Sequence, residues 1–100
     1  MRAVLLMGLL VGCASPGGTL GESCTLVAEA GCDQALTCNL SFTSRELCIE
    51  YAVYDCCEEE GRCDEAQDRD QTSAWATCAD DLDAQPCEDA GTPPGSCTML

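Results

Sequence analysis

Apolar side chains recur at helical intervals in the second half of the chain. Four residues have the spacing i, i+3, i+4 and i+7: Trp75, Cys78, Ala79 and Leu82. This spacing places them on one face of a helix, where they can pack against a core. Asp64 and Gln67 have the form of a capping box, and Pro86 cannot continue a helix, so helix B is predicted over about 65–84. A polar first half leaves open a later start, near Thr72.

A second helix is indicated by its two ends. Thr43 and Glu46 have capping-box spacing, with Thr43 as the N-cap and Glu46 reaching back to it. Helix-compatible residues follow, and Gly61 stands where the left-handed residue after a helix is commonly glycine. Helix A is therefore predicted over about 44–60.

The two helices predict a small, disulfide-rich, mainly α fold. Helices A and B, joined by a short turn, should form an antiparallel hairpin, and Cys48 and Cys78 lie equally far from that turn. A disulfide between these two cysteines is therefore predicted. The segment 24–40 has no clear hydrophobic period, so its residues before Gly31 suit either a short helix or a strand. It is expected to be an N-terminal cysteine-stapled loop segment packed on the hairpin.

The first residues have the pattern of an export signal. Arg2 precedes an apolar run over 3–11, which is too short to span a bilayer as a permanent helix. The run ends in Leu10-Val11-Gly12-Cys13, which resembles the lipobox of bacterial lipoproteins. The resemblance implies cleavage before Cys13 and acylation of this cysteine, with palmitate-type chains as the membrane anchor.

The lipobox resemblance also divides the chain. It implies a signal peptide over 1–12 and a lipidated Cys13; the small, Gly- and Pro-rich residues that follow make 13–23 a flexible tether. A disulfide-stapled domain is expected over 24–97, and a short tail over 98–100. Because Ala14 is not Asp, the resemblance implies the outer membrane, with the face of the membrane left open. The alternative is cleavage after Ala14 by another signal peptidase, which would discard Cys13 and yield a secreted protein.

Cysteine content is the main determinant of the fold. The chain has 11 cysteines, and an even number besides Cys13 in a short exported chain indicates a disulfide framework. Adjacent cysteines on a helix point about 100° apart, so Cys56 and Cys57 should have different partners, one of them Cys63 and the other in the N-terminal segment. The disulfide candidates are Cys24, Cys32, Cys38, Cys48, Cys56, Cys57, Cys63, Cys78, Cys87 and Cys97.

The charge of the chain excludes some partners. Four basic residues stand against 18 acidic ones, and loss of Arg2 with the signal leaves three against 18, a net charge of −15. Nucleic acids and anionic lipid surfaces are therefore not expected as partners. The acidic runs 58–60 and 80–83 either solvate the surface or attract a divalent cation such as calcium. The EF-hand-like start at Asp68 departs from that motif, so no metal ligands are assigned.

Catalysis and cofactor chemistry have little basis in the residues present. The chain has no His and no Lys, which excludes the usual Ser-His, Cys-His and Ser-Lys nucleophile systems. No Cys-x2–4-Cys pair indicates a zinc site, and no Cys-x-x-Cys pair indicates thiol–disulfide exchange. The chain is expected not to be an enzyme and to need no cofactor.

The function expected from the sequence is a lipid-anchored, acidic, cysteine-rich envelope protein that acts as a binding or structural module. Its partner is expected to be an envelope protein or polymer. Tyr51, Tyr54 and Trp75 are the contact candidates if exposed, although the helical spacing of Trp75 favours core packing. A calcium-binding envelope protein, and a secreted toxin- or inhibitor-like domain without an anchor, are the alternatives.

Overall fold

The computed structural model describes residues 17–40 and 44–100, and this part of the chain is mostly helical and without strands. A π-helical turn, Tyr54–Glu58, extends the helix Arg45–Val53, and a 3-10 turn, Cys87–Asp89, precedes the helix Gly95–Thr98. The fold class is thus the expected one, small, disulfide-rich and mainly α. The helices are α1 (Leu20–Thr37), α2 (Arg45–Val53), α3 (Arg69–Ala84) and α4 (Gly95–Thr98).

The N-terminal segment is a helix of 18 residues, not the expected loop. Thr19 and Glu22 form a capping box, in which each side chain accepts a hydrogen bond from the other's backbone N–H. Leu20 and Ser23 in the first turn are buried. The prediction of a flexible tether is therefore wrong for residues 20–23, and residues 13–16 of that tether lie outside the described part of the chain.

The first turn of α1 is held by the segment that precedes α3. The N–H groups of Leu20 and Gly21 donate to the carbonyl oxygens of Glu65 and Cys63, each at 2.8 Å. A Cβ on Gly21 would lie 3.0 Å from the Cys63 oxygen, so glycine permits this close approach. These bonds keep the segment extended, which is why helix B does not begin at residue 65 as predicted.

Helix α1 is the centre of the domain. It packs against both α2 and α3, whereas α2 and α3 have at most marginal contact with each other. Ser23 Oγ donates to Gln67 Oε1 just before α3, and Gln34 Nε2 donates to the Leu82 oxygen at 3.0 Å. The predicted hairpin of two helices is therefore wrong. Both helices pack on a third helix, α1, where the sequence predicts a loop segment.

The helix boundaries follow local capping rules. Ser44, not Thr43, is the N-cap of α2, since its side chain accepts a hydrogen bond from the Leu47 N–H; Thr43 itself lies outside the described residues. Asp68 caps α3 in a capping box with Gln71, between the two predicted starts. Gly61 has a φ of +67°, the left-handed conformation predicted for it.

Within the described part of the chain, five pairs of cysteines lie at disulfide distance, and they connect its helices and turns. The predicted Cys48–Cys78 bridge is wrong, because α1 lies between α2 and α3. Cys63 pairs with Cys57 and the N-terminal segment with Cys56, as the spacing predicts. The pairs are Cys24–Cys56, Cys32–Cys48, Cys38–Cys87, Cys57–Cys63 and Cys78–Cys97.

The core is small and rich in sulfur. Among residues 17–40 and 44–100, eight hydrophobic residues are buried, and four of them are cysteines. Leu20, Cys24 and Cys57 form the central cluster, and Val53 and Trp75 pack against it from α2 and α3. Trp75 thus has the packing role that its helical spacing favours. So little buried apolar surface leaves a large share of the stability to the disulfides.

Candidate functional site

A groove runs along α1 on the side where α2 and α3 leave that helix uncovered. Its first section, with a volume of about 520 Å³, lies between α1 and the end of α2. Leu26 and Val53 are apolar residues of its lining, and Leu26 is 43% exposed. Four carboxylates also line this section: Glu22, Glu29, Glu58 and Asp64.

A second section continues the groove between α1 and α3. It has a volume of about 230 Å³, and it shares Leu26 and Glu29 with the first section. Ala76 and Ala79 line it from α3, together with Asp80 and Asp83. Asp33 and Arg45 lie at this end as well. The two sections form one continuous surface, which is called the acidic groove below.

Arg45 is the cation among the groove residues, and it is paired. Its Nε donates to Asp33 Oδ1 at 2.6 Å and its Nη2 to Asp33 Oδ2 at 3.3 Å. This hydrogen bonding holds the pKa of the Asp33 carboxyl below its usual value, against an opposing effect of desolvation. Asp33 is therefore charged and neutralised locally by its partner.

The other groove carboxylates differ from Asp33, although Arg45 attracts Glu29 at longer range. None of them forms an ion pair within the part of the chain that the structure describes. Glu22 accepts the N–H of Thr19 in the capping box, which is a neutral donor. The unpaired set is Glu22, Glu29, Glu58, Asp64, Asp80 and Asp83.

The opposite side of α1 carries an apolar groove of about 300 Å³. Val27 and Gly31 of α1, Ala52 of α2 and Leu82 of α3 line it. The disulfides Cys24–Cys56 and Cys32–Cys48 also form part of its apolar wall. The two sides of α1 thus differ sharply in charge.

The contact candidates of the sequence are separated by the fold. Tyr51 is 67% exposed, and it lies at helical spacing from Leu47 on α2 and from Tyr54 in the π-helical turn, which are exposed too. Trp75 packs against the core cluster instead. The tyrosines are therefore available to a partner, although they lie outside the groove lining.

The acidic runs do not come together as a metal site. Glu58 lines one section of the acidic groove, Asp80 and Asp83 line the other, and Glu60 pairs with Arg62 at 3.4 Å. Among residues 17–40 and 44–100, no three side chains of the metal-binding types are grouped so that they could hold an ion. Cys13, the predicted lipidation site, lies outside the described residues. Within those residues, no helix is long and apolar enough to cross a membrane.

Comparison with known proteins gives no relative. No family model matches the chain, and no curated protein or solved structure matches it either. The function proposed for the chain therefore rests on its own residues, charges and geometry.

Proposed function

We propose that this chain is a lipid-anchored binding module of a bacterial cell envelope, attached through Cys13 and presented to a partner protein from the outer membrane. The anchor is supported by the likeness of Leu10-Val11-Gly12-Cys13 to a lipobox. The binding role is supported by one observation above all. The acidic groove is a long, accessible surface on a domain whose helices are fixed by disulfides.

Rigidity is what makes this groove suitable for binding. Cys24–Cys56 and Cys32–Cys48 fix α2 on α1, while Cys38–Cys87 and Cys78–Cys97 fix the segments around α3. A surface held in its bound shape loses little conformational entropy when a partner docks, and this loss is a main cost of association. A small domain gains affinity in this way without a large interface.

The two other functions considered have less support. A calcium-binding role would need several oxygen ligands around one point, and the acidic side chains are spread along the groove. An enzyme would need an activated nucleophile or an acid–base pair, and a chain without His or Lys lacks the usual bases that activate a Ser or Cys.

The anchor can be tested by replacing its cysteine. In Cys13→Ser, acylation cannot occur, so the protein should leave the membrane fraction or accumulate as the uncleaved precursor. Each buried methylene of an acyl chain contributes about 0.8 kcal/mol, so nearly all of the variant that has lost its signal should leave the membrane fraction. Cell fractionation, together with the mass of the N-terminal peptide, measures the effect.

The control for this test is Ser15→Ala, a small change two residues beyond the modified position. It should stay in the membrane fraction with the acylated N-terminal mass. An unmodified N-terminal peptide in the wild-type protein, starting after Ala14, would contradict the anchor and favour a secreted protein.

A further inference from the structure

We propose that the acidic groove binds a Lys- and Arg-rich segment of a partner protein. The proposal rests on the binding role proposed above and gives that role a partner of stated chemistry. It depends on three properties of the groove, which are its apolar lining, its unpaired carboxylates and its length.

The lining of the groove matches the two parts of a basic side chain. Lys and Arg have an apolar stem and a charged end, and the stem packs on apolar surface while the end reaches polar groups or water. Leu26 and Val53 provide apolar surface in the first section, and Ala76 provides it in the second, where Ala79 is only 4% exposed. Carboxylates line both sections beside these residues. A stem can therefore lie on the apolar surface while its cation meets a carboxylate.

The charge of the groove selects for a cationic occupant. Its six unpaired carboxylates belong to a mature chain in which 18 acids stand against three arginines, giving −15. Like charges disfavour a second copy of this chain, and also nucleic acid or an anionic lipid surface. A basic segment of another protein has the complementary charge, and it would neutralise carboxylates that the domain itself leaves unpaired.

The length of the groove sets the size of the segment. Glu22 and Asp33 mark the two ends of its α1 side, and a helical rise of 1.5 Å per residue separates them by about 16 Å. An extended peptide advances about 3.3 Å per residue, so roughly five residues cover this distance. A short extended run of basic residues therefore fits the groove.

The proposal can be tested with hexalysine as the probe. The mature protein is purified in a neutral detergent, and its binding to fluorescently labelled hexalysine is followed by anisotropy. The triple variant Glu29→Gln, Asp80→Asn, Asp83→Asn removes three groove charges, and it should weaken binding roughly tenfold at low salt. The matched control Glu59→Gln, Glu88→Gln, Asp89→Asn removes three charges outside the groove lining, and it should weaken binding less than about twofold.

A second pair of variants tests the apolar part of the groove at constant charge. Leu26→Ser should weaken hexalysine binding by about threefold, because the lysine stems lose apolar contact. Leu36→Ser is the control, since Leu36 lies on the same helix, is 49% exposed and does not line the groove. It should bind as the wild type does. Circular dichroism of each variant shows that the fold is kept.

Several outcomes would overturn the proposal. Failure of the wild-type protein to bind hexalysine would contradict it. Equal weakening of binding in the two triple variants would also contradict it, because this would mean a diffuse effect of net charge. Equal binding by the two leucine variants, or self-association that buries the groove, would overturn it too. A failure here leaves the acylation of Cys13 intact, whereas an unacylated Cys13 leaves hexalysine binding intact, so the two proposals fail separately.

Discussion

Replacing Cys38 and Cys87 together by alanine should lower the free energy of unfolding by about 4 kcal/mol. This disulfide spans 49 residues, the longest separation of the five. Closing a loop of that length removes conformational entropy from the unfolded chain, which gives the quoted magnitude in the chain-entropy model. Since domains of this size are only marginally stable, the loss should be visible in a denaturant titration.

This pair suits the test because neither of its cysteines is buried. The serine pair, Cys38→Ser with Cys87→Ser, is the matched control and should lose the same amount, since Cys87 is exposed and Cys38 only half-buried, so that water reaches both hydroxyls. A loss below about 1 kcal/mol, or a clear difference between the alanine and serine pairs, would show that the bridge does not act through chain entropy.

The second prediction concerns the buried hydrogen bond between α1 and the segment before α3. Ser23→Ala should lower the free energy of unfolding by about 1–3 kcal/mol, because Gln67 Oε1 then loses its donor while its side chain stays buried. Gln67 is only 7% exposed, so water replaces the lost donor poorly. Chemical denaturation of the oxidised protein measures the difference.

The control for this variant is Thr77→Ala. The Thr77 hydroxyl donates to the Ser73 oxygen on the exposed side of α3, at 3.0 Å. Water can replace that bond, so the change should cost less than about 0.5 kcal/mol. Equal effects at the two positions would mean that the buried bond does not hold the segment before α3 to α1.

The local capping rules account for most of what the sequence predicts correctly. Gly61 after helix A and the last residue of α3 before Pro86 follow directly from backbone preferences that act within a few residues. The stripe with Trp75 and Cys78 packs inward, because its spacing is helical and it is the most apolar face of α3. These features depend on the chain close to each residue.

Helix α1 is not predicted by the local sequence pattern. The capping-box pattern of Thr19 and Glu22 is present in the sequence, but the glycines around it favour a tether. Glycine inside a helix costs roughly 1 kcal/mol, and at Gly21 the close approach of Cys63 favours the small residue. That contact joins residues far apart in the sequence, so no local pattern reports it.

The start of α3 also depends on contacts between distant residues. Asp64 with Gln67 and Asp68 with Gln71 have the same capping pattern, and only the second pair forms the cap. Gln67 is instead used by Ser23 of α1, and Glu65 accepts the Leu20 N–H. Two equal local signals were therefore decided by tertiary hydrogen bonds.

The acidic groove cannot be predicted from the sequence alone. Glu22, Leu26 and Glu29 lie on one side of α1 at helical spacing, a signal that can be read only once residues 20–37 are known to be helical. The carboxylates of Asp80 and Asp83 join them because α3 packs on α1 rather than on α2. The groove is thus a consequence of the central position of α1.

The central claim is that disulfides, more than buried apolar surface, hold α2 and α3 on α1. Circular dichroism of the mature protein before and after reduction, recorded first at one temperature and then during heating, tests this most directly. Isolated helices of 18 and 16 residues with internal glycine or β-branched residues are marginal in water. Reduction should therefore abolish most of the helical signal and the cooperative thermal transition. A reduced protein that keeps its helical signal and a sharp transition would contradict the claim.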